Sequence, residues 1–128
     1  MTEHAALRRA LEDLEGLDFV ALTGSRARGD AREDSDWDLA IQWSGEPGDV
    51  LAGFSRDEDL RHRVASALAI PDDRVDIIDL ARAGLAMRAA VADEGIPVIG
   101  EDRLPWMHFL TRTWRELEYW DWERTHAA

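Results

Sequence analysis

Four short apolar runs divide this chain, and their lengths and spacing limit its fold more than any other feature. "LDFVALTG" at 17–24, "DWDLAIQW" at 36–43, "RVDIIDL" at 74–80 and "IPVIG" at 96–100 have the length of strands. Between the second and third, Ser55 and Glu58 form a capping box, and Leu60, Val64 and Leu68 recur every four residues up to Ala69, before Pro71. This spacing predicts a helix over about 55–69. Helices are also predicted over 3–15, where Leu7, Leu11 and Leu14 share a face and Gly16 ends the run, and over 81–94, stopped by Gly95. A last helix is predicted over about 105–125, opened by Pro105. "SGEPGD" at 44–49 is loop chemistry. The expected fold is α+β: a small mixed β-sheet flanked by helices, closed by a C-terminal helix. At 128 residues, one domain over 1–128 is expected.

Alternation in the second strand puts Trp37, Leu39 and Ile41 on one face, and Asp36, Asp38, Ala40 and Gln42 on the other. Asp36 and Asp38 then project to the same side, about 7 Å apart along the backbone. Like charges at that spacing oppose each other's ionisation unless a cation lies between them. A hard divalent ion such as Mg²⁺ is one resolution, and solvation at a sheet edge is the other. Upstream, Gly24 and Ser25 follow the first strand directly. Backbone N–H groups there, the Ser25 hydroxyl and the Arg28 guanidinium would suit phosphate oxygens, although the same residues also make an ordinary turn. In the third strand Asp76 and Ile78 share one face, while Val75, Ile77 and Asp79 share the other. Only one of Asp76 and Asp79 can therefore line the face of Asp36 and Asp38. Asp76, inside the apolar run, needs a compensating partner, whereas Asp79 at the strand exit suits capping or solvation. Ser35 either fixes the start of the second strand or is a plain loop residue.

Gly24-Ser25, ten intervening residues and then Asp36-Trp37-Asp38 resemble the G-S-x10-D-x-D signature of the DNA polymerase beta-like nucleotidyltransferase superfamily. With "VDIIDL" following about 35 residues later, residues 3 to 100 are similar in element order to the minimal nucleotidyltransferase (MNT) proteins. Those are small members often encoded beside a HEPN-type ribonuclease toxin as its antitoxin. The resemblance implies that Asp36, Asp38 and Asp76 are catalytic and hold two Mg²⁺ ions, with ATP as substrate. It implies that Gly24 and Ser25 grip the triphosphate, and that Arg28 rather than Arg26 or Arg32 reaches phosphate. Trp37 departs from the aliphatic residue more usual at its position; it faces away from the carboxylates and is expected to pack on a helix.

Charge narrows the partners. Twenty-seven acidic residues against fifteen arginines and no lysine give a net charge of -12, so no attraction to membrane or nucleic acid is expected. The absence of cysteine excludes disulfides and thiol catalysis, and the histidines show no metal-ligand spacing. No run is long and apolar enough for a signal peptide or membrane span, so a cytoplasmic protein is expected. In the tail, Trp106, Leu110, Thr113, Leu117 and Trp120 form one helical stripe expected on the core, with Phe109, Trp114 and Trp122 off it. The second apolar surface would meet a partner protein or a second copy, or would simply be exposed. The leading expectation is an antitoxin that transfers AMP from ATP to a hydroxyl, with tyrosine favoured, of a cognate HEPN toxin. The alternatives are an antitoxin that only occludes the toxin, and a small-molecule nucleotidyltransferase of the aminoglycoside-modifying kind. Polymerisation on nucleic acid ranks last, because no basic groove is visible.

Overall fold

The computed structural model describes residues 2–127. In chain order the elements are α1 (Glu3–Leu11), β1 (Leu17–Thr23), α2 (Gly24–Arg28), β2 (Trp37–Trp43) and α3 (Val50–Leu68). A single 3-10 turn (Asp72–Arg74) leads into β3 (Val75–Asp79), followed by α4 (Leu85–Glu94), β4 (Ile96–Ile99) and α5 (Leu104–His126). The sheet order is β3-β2-β1-β4. β1 is antiparallel to both β2 and β4, whereas β2 and β3 run parallel. A parallel pair needs a long crossover, and α3 supplies it. The fold is therefore the expected α+β arrangement with a mixed sheet.

Both faces of the sheet are covered, so its alternating residues feed two separate cores. Val20, Leu22, Leu39, Ile41, Val75 and Val98 meet Leu7 and Leu11 of α1 and Leu60 and Val64 of α3. Phe19, Ala21 and Ala40 meet Val91 of α4 and Trp106 and Phe109 of α5. There Phe19 stands edge-on to Trp106, with ring centroids 5.0 Å apart. Complete burial of a ring such as Phe109 contributes about 1.5–3 kcal/mol, which pins the first half of α5 to the sheet.

Several boundaries differ from the sequence expectation. α3 begins at Val50, because the Asp49 side chain accepts the Ala52 N–H and caps it; Ser55 lies inside the helix and caps nothing. α1 stops at Leu11, earlier than Gly16, and Leu14 packs on the core from the turn that follows. α4 starts only at Leu85, since the Asp79 carboxylate first accepts the Ala81 N–H in a turn. In α5 the buried residues are Trp106, Phe109 and Thr113, so Phe109 belongs to the core stripe. Leu117 and Trp120 are exposed, because the 23-residue helix outruns the sheet it covers. Among the described residues no helix is long and apolar enough to cross a membrane.

Candidate active site

The register of three strands assembles the site. Thr23, the last residue of β1, pairs with Asp38 of β2, which pairs in turn with Asp76 of β3. Paired residues on neighbouring strands lie side by side, about 4.8 Å apart along the hydrogen-bonding direction, and point to the same face. Asp38 and Asp76 are thus brought together on the α4-covered face, at the end of the sheet where β1 leaves and β2 and β3 begin. Asp79 belongs to the opposite face and caps a turn.

α2 follows Thr23 without a break, starting at Gly24. Gly24 has a left-handed backbone (φ +70°), and a β-carbon there would run into the Asp38 carboxylate. The position therefore requires glycine twice over, for its dihedral and for the side chain laid against it. Arg28 reaches the same place from the end of α2. Its Nη1 lies 3.6 Å from Glu94 and its Nε 3.5 Å from Asp30, and its side chain is 47% exposed. Exposed pairs of that length contribute little, so Arg28 can turn toward another anion at small cost. α4 completes the wall. The result is a cleft of about 300 Å³ lined by Thr23, Gly24, Arg28, Asp38, Asp76, Ile78, Met87, Ala90 and Glu94.

Two residues expected at the site stand differently. Asp36 is exposed, one residue ahead of β2, and does not line the cleft, though its charge still acts on Asp38. Ser25 is half-buried in α2, also outside the lining, and its carbonyl accepts the Gly29 N–H. Asp76 is exposed rather than sealed in the apolar run, so it needs no buried partner. The Asp38 carboxyl is held above the usual aspartate range, first by partial burial, then by the charges of Asp76 and Asp36, with Arg28 pulling the other way.

The remaining arginines near the site hold the loop before β2 and not the cleft. Arg26 donates from Nη2 to the Ser35 carbonyl at 2.8 Å and to that of Glu33 at 3.3 Å, and its guanidinium lies 4.4 Å over the Trp37 ring. Arg74 donates to the same two carbonyls, at 2.8 and 3.0 Å. Ser35 meanwhile accepts the Arg32 N–H through Oγ at 2.8 Å. Two arginines and a serine thus clamp the loop that carries Asp36 into β2. The sequence reading missed Arg74 altogether; nothing in its local pattern sets it apart from any cation ahead of a strand.

The donor set suits a divalent cation in chemistry, since it offers crowded hard carboxylate oxygens whose mutual repulsion a cation would relieve. Among the described residues, no three His, Cys, Asp or Glu side chains form a ready-made metal cage. Mg²⁺ seldom uses one. It is usually bound by one or two carboxylates together with substrate phosphates, and the paired Asp38 and Asp76 beside Gly24 and Arg28 fit that pattern.

Comparison with known proteins agrees with this geometry. Residues 6–104 match the family described as "Polymerase beta, Nucleotidyltransferase". Among solved structures, the chain is similar to a toxin–antitoxin structure with AMP-PNP, at 24% identity over 97% of this chain and 94% of that one, with a TM-score of 0.72. It is also similar to a structure of tri-AMPylated Shewanella oneidensis HEPN toxin in complex with MNT antitoxin, at 22% identity over 96% and 90%, TM-score 0.65. A toxin–antitoxin MntA–HepT structure matches at 22% identity over 96% and 91%, TM-score 0.64. At these identities the likeness is one of fold. No curated protein sequence matches the chain.

Proposed function

This chain belongs to the polymerase beta nucleotidyltransferase family, and on that premise we propose that it is an antitoxin transferring AMP from ATP to a hydroxyl, with tyrosine favoured, of a cognate HEPN toxin. The observation that carries the proposal is the in-register pair Asp38–Asp76 facing a cleft closed by Gly24 and Arg28. Structures of similar fold hold AMP-PNP or an AMPylated HEPN toxin, which supports both the nucleotide and the acceptor. The whole of residues 1–128 would act as one minimal nucleotidyltransferase domain in the cytoplasm.

In this reading the triphosphate lies against the Gly24–Ser25 turn, where glycine lets the Asp38 carboxylate sit directly against the backbone beside it. Arg28, loosely tied to Glu94 and Asp30, turns to the β- and γ-phosphates. Asp36, Asp38 and Asp76 would hold two Mg²⁺ ions, which when bound offset charge on the attacking and leaving oxygens. The acceptor hydroxyl oxygen bonds to the α-phosphorus, the α–β bridging bond breaks, and pyrophosphate leaves toward Arg28. The hydroxyl proton passes to the carboxylate of Asp76, which is exposed and so accessible to an incoming side chain. Ile78, Met87 and Ala90 supply an apolar wall beside the carboxylates.

A second reading rests on its own observation. Trp114, Leu117, Tyr119, Trp120 and Trp122 are all exposed on α5, which favours a partner or a second copy on that helix whether or not AMP is transferred. Asp38→Asn combined with Asp76→Asn separates the two. If transfer is the mechanism, the double variant neither labels the toxin from α-labelled ATP nor neutralises it in cells. Full neutralisation by the unlabelling variant would establish occlusion instead.

A further inference from the structure

At the other end of the sheet, four residues beyond Asp38 along β2 (about 13 Å at 3.3 Å per residue), lies a second cavity of about 320 Å³. Three arginines from three elements line it: Arg56 of α3, Arg82 from the turn after β3, and Arg112 of α5. Among the described residues, none of these three takes part in a salt bridge or a side-chain hydrogen bond. Glu46 and Asp79 also line the cavity, yet Asp79 commits an oxygen to the Ala81 N–H and neither acid pairs with the arginines. Glu116, whose charge feels Arg112, is already engaged by Arg88 at 2.6 Å.

Arg56 is the most telling of the three. Its guanidinium lies 4.7 Å over the ring of Trp43, which fixes the plane, and its Nε is sealed from solvent without an acceptor. That guanidinium charge is left without a carboxylate partner, and an incoming oxyanion would compensate it. Guanidinium forks match phosphate oxygens bidentately, and three of them around one hollow suit a multiply charged group better than a single carboxylate. The volume exceeds what one phosphate needs: it corresponds to on the order of ten waters at about 30 Å³ each.

We propose that Arg56, Arg82 and Arg112 form a second, metal-independent binding site for a phosphate oxyanion of pyrophosphate size, separate from the carboxylate cleft. Occupancy would tie α3, the β3–α4 turn and α5 together through one ligand.

Calorimetric titration with sodium pyrophosphate, in EDTA so that no divalent ion can recruit the carboxylates, tests this. Arg82 and Arg112 are exposed and unbonded, so Arg82→Gln with Arg112→Gln leaves the fold intact. Wild type should bind, and the double variant should bind at least about tenfold more weakly, as expected for losing two charge-assisted donors. Arg28→Gln, at the distant cleft, should bind like wild type. No heat with wild type, unchanged affinity in R82Q/R112Q, or a loss in R28Q equal to that of the double variant would each overturn the assignment.

Discussion

Replacing Gly24 with alanine should separate two penalties that a single position combines. The first is conformational. At φ +70° an L-residue with a β-carbon is strained, at a cost of about 1–2 kcal/mol. For a chain of this size that lowers the melting midpoint by about 4–8 °C. The second is local. The new β-carbon would sit 3.2 Å from Asp38 Cγ and closer still to its carboxylate oxygen, so Asp38 must withdraw by about 1 Å to restore normal contact. A displacement of about that size in a reacting constellation costs on the order of 100-fold in rate. Gly16 provides the control, because it has φ +80° and no atom within 4 Å of the place a β-carbon would take. Gly16→Ala should therefore lose similar stability and keep its rate. The assay is the initial rate of AMP transfer from α-labelled ATP to the partner toxin, with thermal melts of both variants alongside. Transfer by G24A within roughly threefold of G16A would refute the coupling, since a displaced Asp38 cannot be that harmless.

Other perturbations read different parts of the same structure. Asp38 has its folded-state proton affinity raised by burial, Asp76 and Asp36, so the folded chain binds more protons than the unfolded chain at pH between the ordinary aspartate value and the raised one. Stability contributed at this site is present at low pH and lost as pH rises through that window. Asp38→Asn should then melt higher than wild type at pH 7, with the difference vanishing in acid where both states are protonated. Thr113 is fully buried with its Oγ1 unpartnered, so Thr113→Val should gain about 1 kcal/mol in chemical denaturation. Arg74→Gln removes one of two arginines on the Glu33 and Ser35 carbonyls; a loss of about 1 kcal/mol is expected, with faster hydrogen exchange at Arg32 and Ser35 amides.

Period-two alternation made the strands and their faces readable, and with them the side on which Asp38 and Asp76 lie. Length and glycine punctuation gave the strand ends to within a residue or two. What escaped was decided between distant segments. Val50, Leu51 and Phe54 look like the tail of a loop because an exposed apolar turn leaves no periodic signal, and the side chain of Asp49, not Ser55, opens α3. Phe109 entered the core because Phe19 of β1 meets its ring, with centroids 5.5 Å apart, a contact between distant segments. Arg74 reaches the Ser35 carbonyl, which Arg26 also holds, only once β2 and β3 pair in parallel, a contact across 39 residues that no local pattern encodes. Asp76 reads as buried from its neighbours, yet its position at the open end of the sheet leaves it exposed.

Transfer of AMP by an aspartate pair at the head of β2 and β3 can be tested most directly by weighing the acceptor. Intact mass of the cognate HEPN toxin should be measured after incubation with ATP, Mg²⁺ and either wild type or Asp38→Asn. One or more AMP-sized increments with wild type, absent with D38N and absent without Mg²⁺, are the predicted result. An unchanged toxin mass with folded wild type, or the same increments with D38N, would contradict the assignment of this cleft as the catalytic centre.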